Sequence, residues 1–114
     1  MRLIKSFYHA ARGVRHVWKS QLNFRVQVIA AVLVVNAMFV FRVQPWQKVT
    51  LLLLIMTVLI LEIVNTASEH LVDLFEPRLN HYVRDIKDLM AAAVLLASLV
   101  AIAVALVIFW PFVV

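Results

Sequence analysis

The sequence of 114 residues is 65% apolar and only 15% charged, and it contains one glycine, three prolines and no cysteine. Soluble globular domains have roughly 45–50% apolar and about 25% charged residues, so this composition predicts a single domain, residues 1–114, that folds in lipid. The small number of turn-forming residues argues against a disordered chain, a collagen and a small β-barrel. The absence of cysteine excludes disulfides, thiolate metal sites and a cysteine nucleophile.

The first 25 residues carry six Lys and Arg side chains and no Asp or Glu, within a net charge of +5 for the whole chain. Apolar residues from Leu3 to Trp18 recur at helical spacing, and basic residues fill the opposite face. This pattern predicts an amphipathic helix over residues 1–22 that lies in the membrane interface, rather than one packed on a soluble core. Nucleic acid is not expected as a partner, because the apolar runs that follow favour an anionic membrane surface.

Three apolar blocks follow, at Val26–Phe41, Val49–Leu61 and Leu89–Phe109. A membrane-spanning helix needs about 20 mostly apolar residues, which the third block supplies alone and the other two supply with their flanks. The sequence therefore predicts an all-α integral membrane fold without a signal peptide. The three predicted transmembrane helices cover about residues 24–42, 47–70 and 86–110.

The Lys and Arg residues between the spans predict the orientation of the chain. Two lie in the connection from Arg42 to Lys48, three lie in the connection from His70 to Asp88, and none follows Phe109. Together with the basic N-terminal segment, this alternation predicts a cytoplasmic N-terminus and an external C-terminus. Trp110 and Pro111 are expected to end the last span at the outer interface.

The third block also contains a small residue at every fourth position, at Ala93, Ala97, Ala101 and Ala105. Such a ridge allows helix backbones to approach closely in lipid, so it favours self-association of the chain.

Acidic side chains follow the second apolar block on one side of its helix. At about 100° per residue, Glu62, Asn65, Glu69 and Asp73 fall within an arc of roughly 80°. Because Glu62 directly follows an apolar run, its carboxylate lies at membrane depth or at the inner edge, where an ionisable group is by default a functional hypothesis. Carboxylates in this position, completed by substrate phosphates, suit a hard cation such as Mg²⁺.

Other interpretations of these acids stay open at this point. The carboxylates can instead pair with Lys87, Arg84 or Arg25 to hold helices together, or Glu62 and Glu69 can form a proton or ion relay. The chain could also be a non-catalytic membrane scaffold subunit. A Walker-type phosphate loop is excluded by the single glycine, and neither a zinc-protease histidine pair nor a nucleophile elbow is present.

Several motifs resemble the prokaryotic diacylglycerol kinase and undecaprenol kinase family. They are E-I-V-N-T-A-S-E-H-L-V-D at residues 62–73, K-D-L-M-A-A-A-V-L-L from Lys87, K-S-F-Y-H-A-A-R-G-V-R from Lys5, and N-F-R at residues 23–25. The resemblance implies a small lipid kinase of the bacterial cytoplasmic (inner) membrane, with three spans and an N-terminal surface helix. It further implies a homotrimer with active sites between protomers, which transfers the γ-phosphoryl of Mg-ATP to a lipid hydroxyl.

The resemblance also implies roles for individual residues. Glu62 would be the general base, and Glu69 would bind Mg²⁺ with support from Asn65 and Asp73. Lys87 and Asp88 would contact the nucleotide, as would Arg2. These roles agree with phosphoryl transfer, which needs charge neutralisation and alignment more than covalent chemistry.

Gln21 departs from the family pattern, which has a metal-binding Glu at this position. An amide oxygen can still ligate Mg²⁺, but it brings no negative charge, so weaker metal binding is expected. The N-T-A sequence at residues 65–67 and the short lead into the first span are more similar to the undecaprenol kinases. Undecaprenol is therefore the expected acceptor, with diacylglycerol as the alternative.

Overall fold

The fold, described by a computed structural model for residues 1–75 and 80–114, consists of helices joined by short connections. The helices are α1 (Arg2–Ser20), α2 (Leu22–Val40), α3 (Pro45–Asp73) and α4 (Asn80–Val113), with Asn80 described by its backbone only. Within these residues, α2, α3 and the part of α4 from His81 are long and apolar enough to cross a membrane, which confirms the predicted number of spans. Residues 76–79, part of the predicted second connection, lie outside the described residues.

The long helices expose many of their large apolar side chains. On α4, the exposed fractions are 62% for Leu96, 63% for Leu106 and 73% for Val107. Water would disfavour such a surface, whereas the hydrocarbon of a bilayer is as apolar as these side chains. The exposed apolar surface therefore agrees with a chain that spans a membrane.

An apolar core joins one end of the three long helices. Met38 near the end of α2, Val43 in the turn after it, Leu51 near the start of α3 and Ile108 near the end of α4 form one buried cluster. Because this cluster joins the ends of α2 and α4 to the start of α3, the three helices run alternately up and down. Helix α3 packs against both α2 and α4 and so occupies the centre of the fold.

The alanine ridge of α4 contributes to this packing inside one chain. Ala105 packs against the apolar core, and both Ala101 and Ala105 line a cavity between α2, α3 and α4. Ala105 therefore faces the chain's own helices, and Ala101 faces the space between them, so this part of the ridge is directed into the bundle.

The turn between α2 and α3 is built from specific end motifs. Arg42 adopts a left-handed conformation with φ 52°, and the N–H of Val43 donates to the carbonyl of Met38 at 3.3 Å. This bond, together with the contact between Met38 and Val43 in the core, is typical of a Schellman-type helix end. Helix α3 then begins with Pro45 in its first turn, where a missing N–H is tolerated.

Trp110 and Pro111, which are predicted to end the last span, lie inside α4 close to its end. The helix continues through Pro111 to Val113 rather than ending before the proline. A proline inside a helix removes one backbone hydrogen bond and crowds the carbonyl four residues earlier, which here is that of Val107. Since only the last turn follows Pro111, a single bond is lost, and the backbone bond from Val114 to Trp110 at 3.1 Å closes the helix.

Substitution of Arg42 tests the left-handed turn. We expect Arg42→Gly to keep or raise the free energy of unfolding, by up to about 1 kcal/mol, because glycine adopts positive φ without a Cβ penalty. Arg42→Val, which adds a β-branched residue at the same φ, should lower it by about 1–3 kcal/mol. Unfolding in mixed micelles measures both, and equal effects of the two variants would contradict the assigned conformation.

Candidate active site

The most buried charged residue of the described chain lies in the part of α3 away from the apolar core. Glu62 is only 1% exposed, and its carboxylate accepts a hydrogen bond from the side-chain amide nitrogen of Gln27 on α2, at 3.4 Å. A carboxylate inside a spanning helix is destabilising unless it faces the protein interior and has a polar partner. The structure places Glu62 in such an interior position, between α3 and α2.

Thr66, one turn beyond Glu62, is also buried. Its hydroxyl donates to the backbone carbonyl of Glu62 at 3.0 Å, so its polar group is satisfied within the helix. This bond lets a threonine be buried in the spanning helix next to Glu62 without an unpaired hydroxyl hydrogen.

Three buried side-chain atoms on α2 and α3 have no hydrogen-bond partner among the described residues. They are Nε of Arg25, Oε1 of Gln27 and Oδ1 of Asn65. An unpaired buried polar atom is typically destabilising by about 1–3 kcal/mol, so native proteins usually satisfy such atoms with water or a ligand. Of these, Oε1 of Gln27 belongs to the side chain that contacts Glu62, so it is an available acceptor beside the carboxylate.

The second group of predicted residues lies where α3 ends and α4 begins. The ammonium nitrogen of Lys87 contacts Oδ1 of Asp73 at 2.7 Å, and the two side chains are 37% and 51% exposed respectively. This ion pair agrees with the alternative interpretation, in which the acidic side chains pair with basic ones to hold helices together. Because the pair is accessible from outside, an incoming phosphate can compete with Asp73 for the lysine.

The remaining predicted residues are spread along the fold. Glu69 is half-buried on α3, Asp88 is exposed on α4, and Gln21 is half-buried between α1 and α2. Arg2 is exposed at the start of α1, and about 21 Å of helix separates it from the contact between His16 and α3, at about 1.5 Å per residue. Arg2 therefore lies far along α1 from the observed contact between His16 and His70.

The oxygen ligands of one chain fit Mg²⁺ only in part. No group of three or more His, Cys, Asp or Glu side chains that could hold a metal is found in residues 1–75 and 80–114. Protein sites for Mg²⁺ in nucleotide-dependent enzymes often use one or two carboxylates and leave the other positions to water and substrate phosphates. The half-buried carboxylate of Glu69 is compatible with that kind of site, in which the nucleotide supplies the missing oxygens.

An apolar cavity adjoins the pair formed by Gln27 and Glu62. It has a volume of about 250 Å³ and lies between α2, α3 and α4, and Gln27 and Ser98 carry the polar side chains of its described lining. Gln27 thus contacts the buried carboxylate and also borders a space lined by Val, Leu, Ile and Ala residues. A molecule with a polar head and an apolar chain matches this combination of surfaces.

Gln27, which lies inside the apolar block Val26–Phe41, was not among the site residues predicted from the sequence. A polar side chain inside a predicted span was the signal that could have identified it, because such residues mark functional positions in membrane helices. The contact between His16 and His70, at 3.2 Å between their Nε2 atoms, was also missed. These histidines are 54 positions apart, and no local pattern relates them.

Comparison with known proteins identifies similar sequences. The sequence profile of the prokaryotic diacylglycerol kinase family matches residues 8–109. Undecaprenol kinase of Bacillus subtilis is 33% identical over 110 residues, which cover 96% of this chain and 89% of the relative. Diacylglycerol kinase of Synechocystis is 37% identical over 103 residues, covering 90% of this chain and 59% of the relative. Diacylglycerol kinase of Escherichia coli is 31% identical over 109 residues, which cover 96% of this chain and 89% of the relative.

Replacement of Asp73 tests how much its ion pair stabilises the fold. Exposed ion pairs contribute about 0–1 kcal/mol, so Asp73→Asn should lower the free energy of unfolding by less than about 1 kcal/mol. Unfolding in mixed micelles measures the change, and Asp88→Asn provides a control for loss of an exposed carboxylate. A loss above about 2 kcal/mol for Asp73→Asn alone would mean that the pair is a structural link shielded from water.

Proposed function

Because this chain belongs to the prokaryotic diacylglycerol kinase family of membrane lipid kinases, we propose that it transfers the γ-phosphoryl group of Mg-ATP to the hydroxyl of undecaprenol. Glu62 is the general base of this proposal. The observation that carries it is the burial of the Glu62 carboxylate at 1% exposure, beside an amide donor and an apolar cavity.

In the proposed reaction, the carboxylate of Glu62 takes the proton of the lipid hydroxyl. The hydroxyl oxygen forms a bond to the γ-phosphorus, the bond from that phosphorus to the β,γ-bridging oxygen breaks, and ADP leaves with the electron pair. A general base of this kind typically accelerates a reaction by 10²–10⁴-fold. The side-chain amide nitrogen of Gln27 donates to the carboxylate and so orients it toward the lipid hydroxyl.

The proposal assigns the charged residues to the nucleotide. Glu69 holds Mg²⁺ with Gln21, and Asn65 and Asp73 support that site. Mg²⁺ neutralises charge on the phosphates, as do the cationic side chains of Lys87 and Arg2. Asp88 helps to place the nucleotide. The exposure of the Asp73–Lys87 pair supports this assignment, since a phosphate can reach it from outside the bundle.

The proposal includes a homotrimer whose active sites lie between protomers. Arg2 lies about 21 Å of helix from the contact between His16 and His70, and the described residues of one chain form no complete metal cluster. A neighbouring copy can supply the residues that one chain does not gather. The exposed apolar surfaces of α2 and α4 are available for contacts between copies.

The membrane arrangement is the one that the charge pattern favours. Helix α1 lies in the interface with its basic face toward the anionic headgroups, and the N-terminus is on the cytoplasmic side of the bacterial inner membrane. That orientation places the ends of α3 and α4 that carry Asp73 and Lys87 on the side where ATP is found.

Undecaprenol is assigned as the acceptor from the residue pattern. Relatives of similar identity carry the names undecaprenol kinase and diacylglycerol kinase, and the N-T-A sequence at residues 65–67 favours the first. Diacylglycerol is the alternative acceptor, and its phosphorylation would use the same residues. Family membership argues against the scaffold and ion-pathway interpretations, because both lack a kinase reaction.

Substitution of Glu62 tests the proposed base. In lipid bilayers with Mg-ATP, the chain should phosphorylate undecaprenol faster than diacylglycerol, and Glu62→Gln should lower the rate by about 10²–10⁴-fold. The variant keeps an oxygen that can accept the bond from Gln27, so its helical content should not change. Asp85→Asn, which removes an exposed carboxylate on α4, serves as the matched control. Undiminished transfer by folded Glu62→Gln would contradict the assignment.

Substitution of Gln21 tests the metal site. Gln21→Glu adds the negative charge that the family pattern has there, so half-maximal rate should need about tenfold less Mg²⁺, equivalent to roughly 1.4 kcal/mol. Gln44→Glu makes the same change at the start of α3, at the opposite end of the bundle, and should leave the Mg²⁺ requirement unchanged. If both variants and the parent chain needed the same Mg²⁺ concentration for half-maximal rate, residue 21 would not contribute to metal binding.

A further inference from the structure

Two histidines from different helices meet at the side of the fold. His16 lies near the end of α1 and His70 in the last turn of α3, and their Nε2 atoms are 3.2 Å apart. The rings are tilted by 53° with centroids 5.3 Å apart, so they contact through nitrogen rather than through their faces. Both side chains are exposed, which leaves the two nitrogens accessible to a dissolved ion.

The distance between the nitrogens suits a transition metal as well as a hydrogen bond. Zinc lies about 2.0–2.1 Å from a histidine nitrogen, so two ligands of a tetrahedral site are about 3.3–3.4 Å apart. The observed separation of 3.2 Å is within about 0.2 Å of that value. Small rotations of the exposed rings are enough to direct both lone pairs at one ion.

We propose that His16 and His70 form a two-histidine site for a divalent transition metal such as Zn²⁺, Ni²⁺ or Cu²⁺, which ties α1 to the end of α3. Imidazole is a preferred ligand of these ions, whereas Mg²⁺ prefers oxygen. When the metal enters, the ring that carried hydrogen on Nε2 carries it on Nδ1 instead, so each ring remains neutral and each Nε2 has a free lone pair. Water or phosphate oxygens complete the coordination.

This site is separate from the magnesium site of the proposed function. Glu69 precedes His70 by one residue, so the two side chains point about 100° apart around α3. Across the described chain, no third acidic, histidine or cysteine ligand is gathered with the pair. Arg12 and Lys19 each lie about one turn from His16 on α1, and their positive charges weaken cation binding. Asp73, which carries a negative charge, lies on the next turn of α3.

The test measures metal binding by the full chain without an affinity tag, in detergent and without ATP or lipid substrate. Calorimetry with Zn²⁺ should show one ion per chain, and the electron paramagnetic resonance spectrum with Cu²⁺ should show two equatorial nitrogens. His16→Ala and His70→Ala should each weaken binding by at least about 10- to 100-fold, since the loss of a mere supporting contact already has that effect. The matched controls His9→Ala, on the same helix, and His81→Ala, on α4, should leave binding unchanged.

Clear outcomes would overturn the proposal. Wild-type affinity in His16→Ala, or an equal loss in His9→Ala, would mean that the ion binds elsewhere. If an alanine variant fails to fold, His16→Asn tests the same point with a polar side chain that can keep a hydrogen bond to His70, and unchanged Zn²⁺ affinity in that variant would contradict the site. Since neither substrate is present, these results do not depend on kinase activity.

Discussion

A carboxylate within a membrane-spanning helix must find a polar environment inside the protein, and this requirement organises the arrangement around Glu62. The residue lies on the central helix α3 at 1% exposure, and the amide of Gln27 on α2 donates to it at 3.4 Å. Exposure of the same charge to lipid would be destabilising by several kcal/mol or more. The position of α3 between α2 and α4 therefore makes it possible to hold an ionisable group at membrane depth.

The two ends of the bundle have different physical characters. At one end, Met38, Val43, Leu51 and Ile108 form a packed apolar core that fixes the helices against one another. Toward the other end, the contacts are polar: the Asp73–Lys87 ion pair is partly accessible, and Oε1 of Gln27 has no hydrogen-bond partner among the described residues. A lipid kinase needs this difference, because the reacting groups must stay accessible to a nucleotide from water and to a hydroxyl from the bilayer.

The sequence alone predicted the helical class and the number of spans, because long apolar runs leave little choice of structure in lipid. The burial of Glu62 could also be predicted from the sequence, because a charged side chain that follows an unbroken apolar run has to face the protein interior. The continuation of α4 through Pro111 was not predicted, because a proline close to a helix end costs only one hydrogen bond.

Contacts between distant residues were beyond sequence reasoning. Gln27 and Glu62 are 35 positions apart, and His16 and His70 are 54 apart, so their pairing depends on how α1, α2 and α3 pack. The inward use of Ala101 and Ala105 has the same cause, since the spacing of a small-residue ridge does not reveal which helix will cover it.

The carboxylate of Glu62 faces Gln27 inside the bundle rather than the acyl chains around it. Solid-state nuclear magnetic resonance in bilayers measures this directly, through dipolar coupling between the side-chain amide nitrogen of Gln27 and the carboxyl carbon of Glu62. The structure predicts a clear coupling, as expected for a hydrogen-bonded pair with a nitrogen–oxygen distance of 3.4 Å. No coupling between these atoms, together with contacts from the Glu62 carboxyl to lipid acyl protons, would show that Glu62 faces the lipid instead.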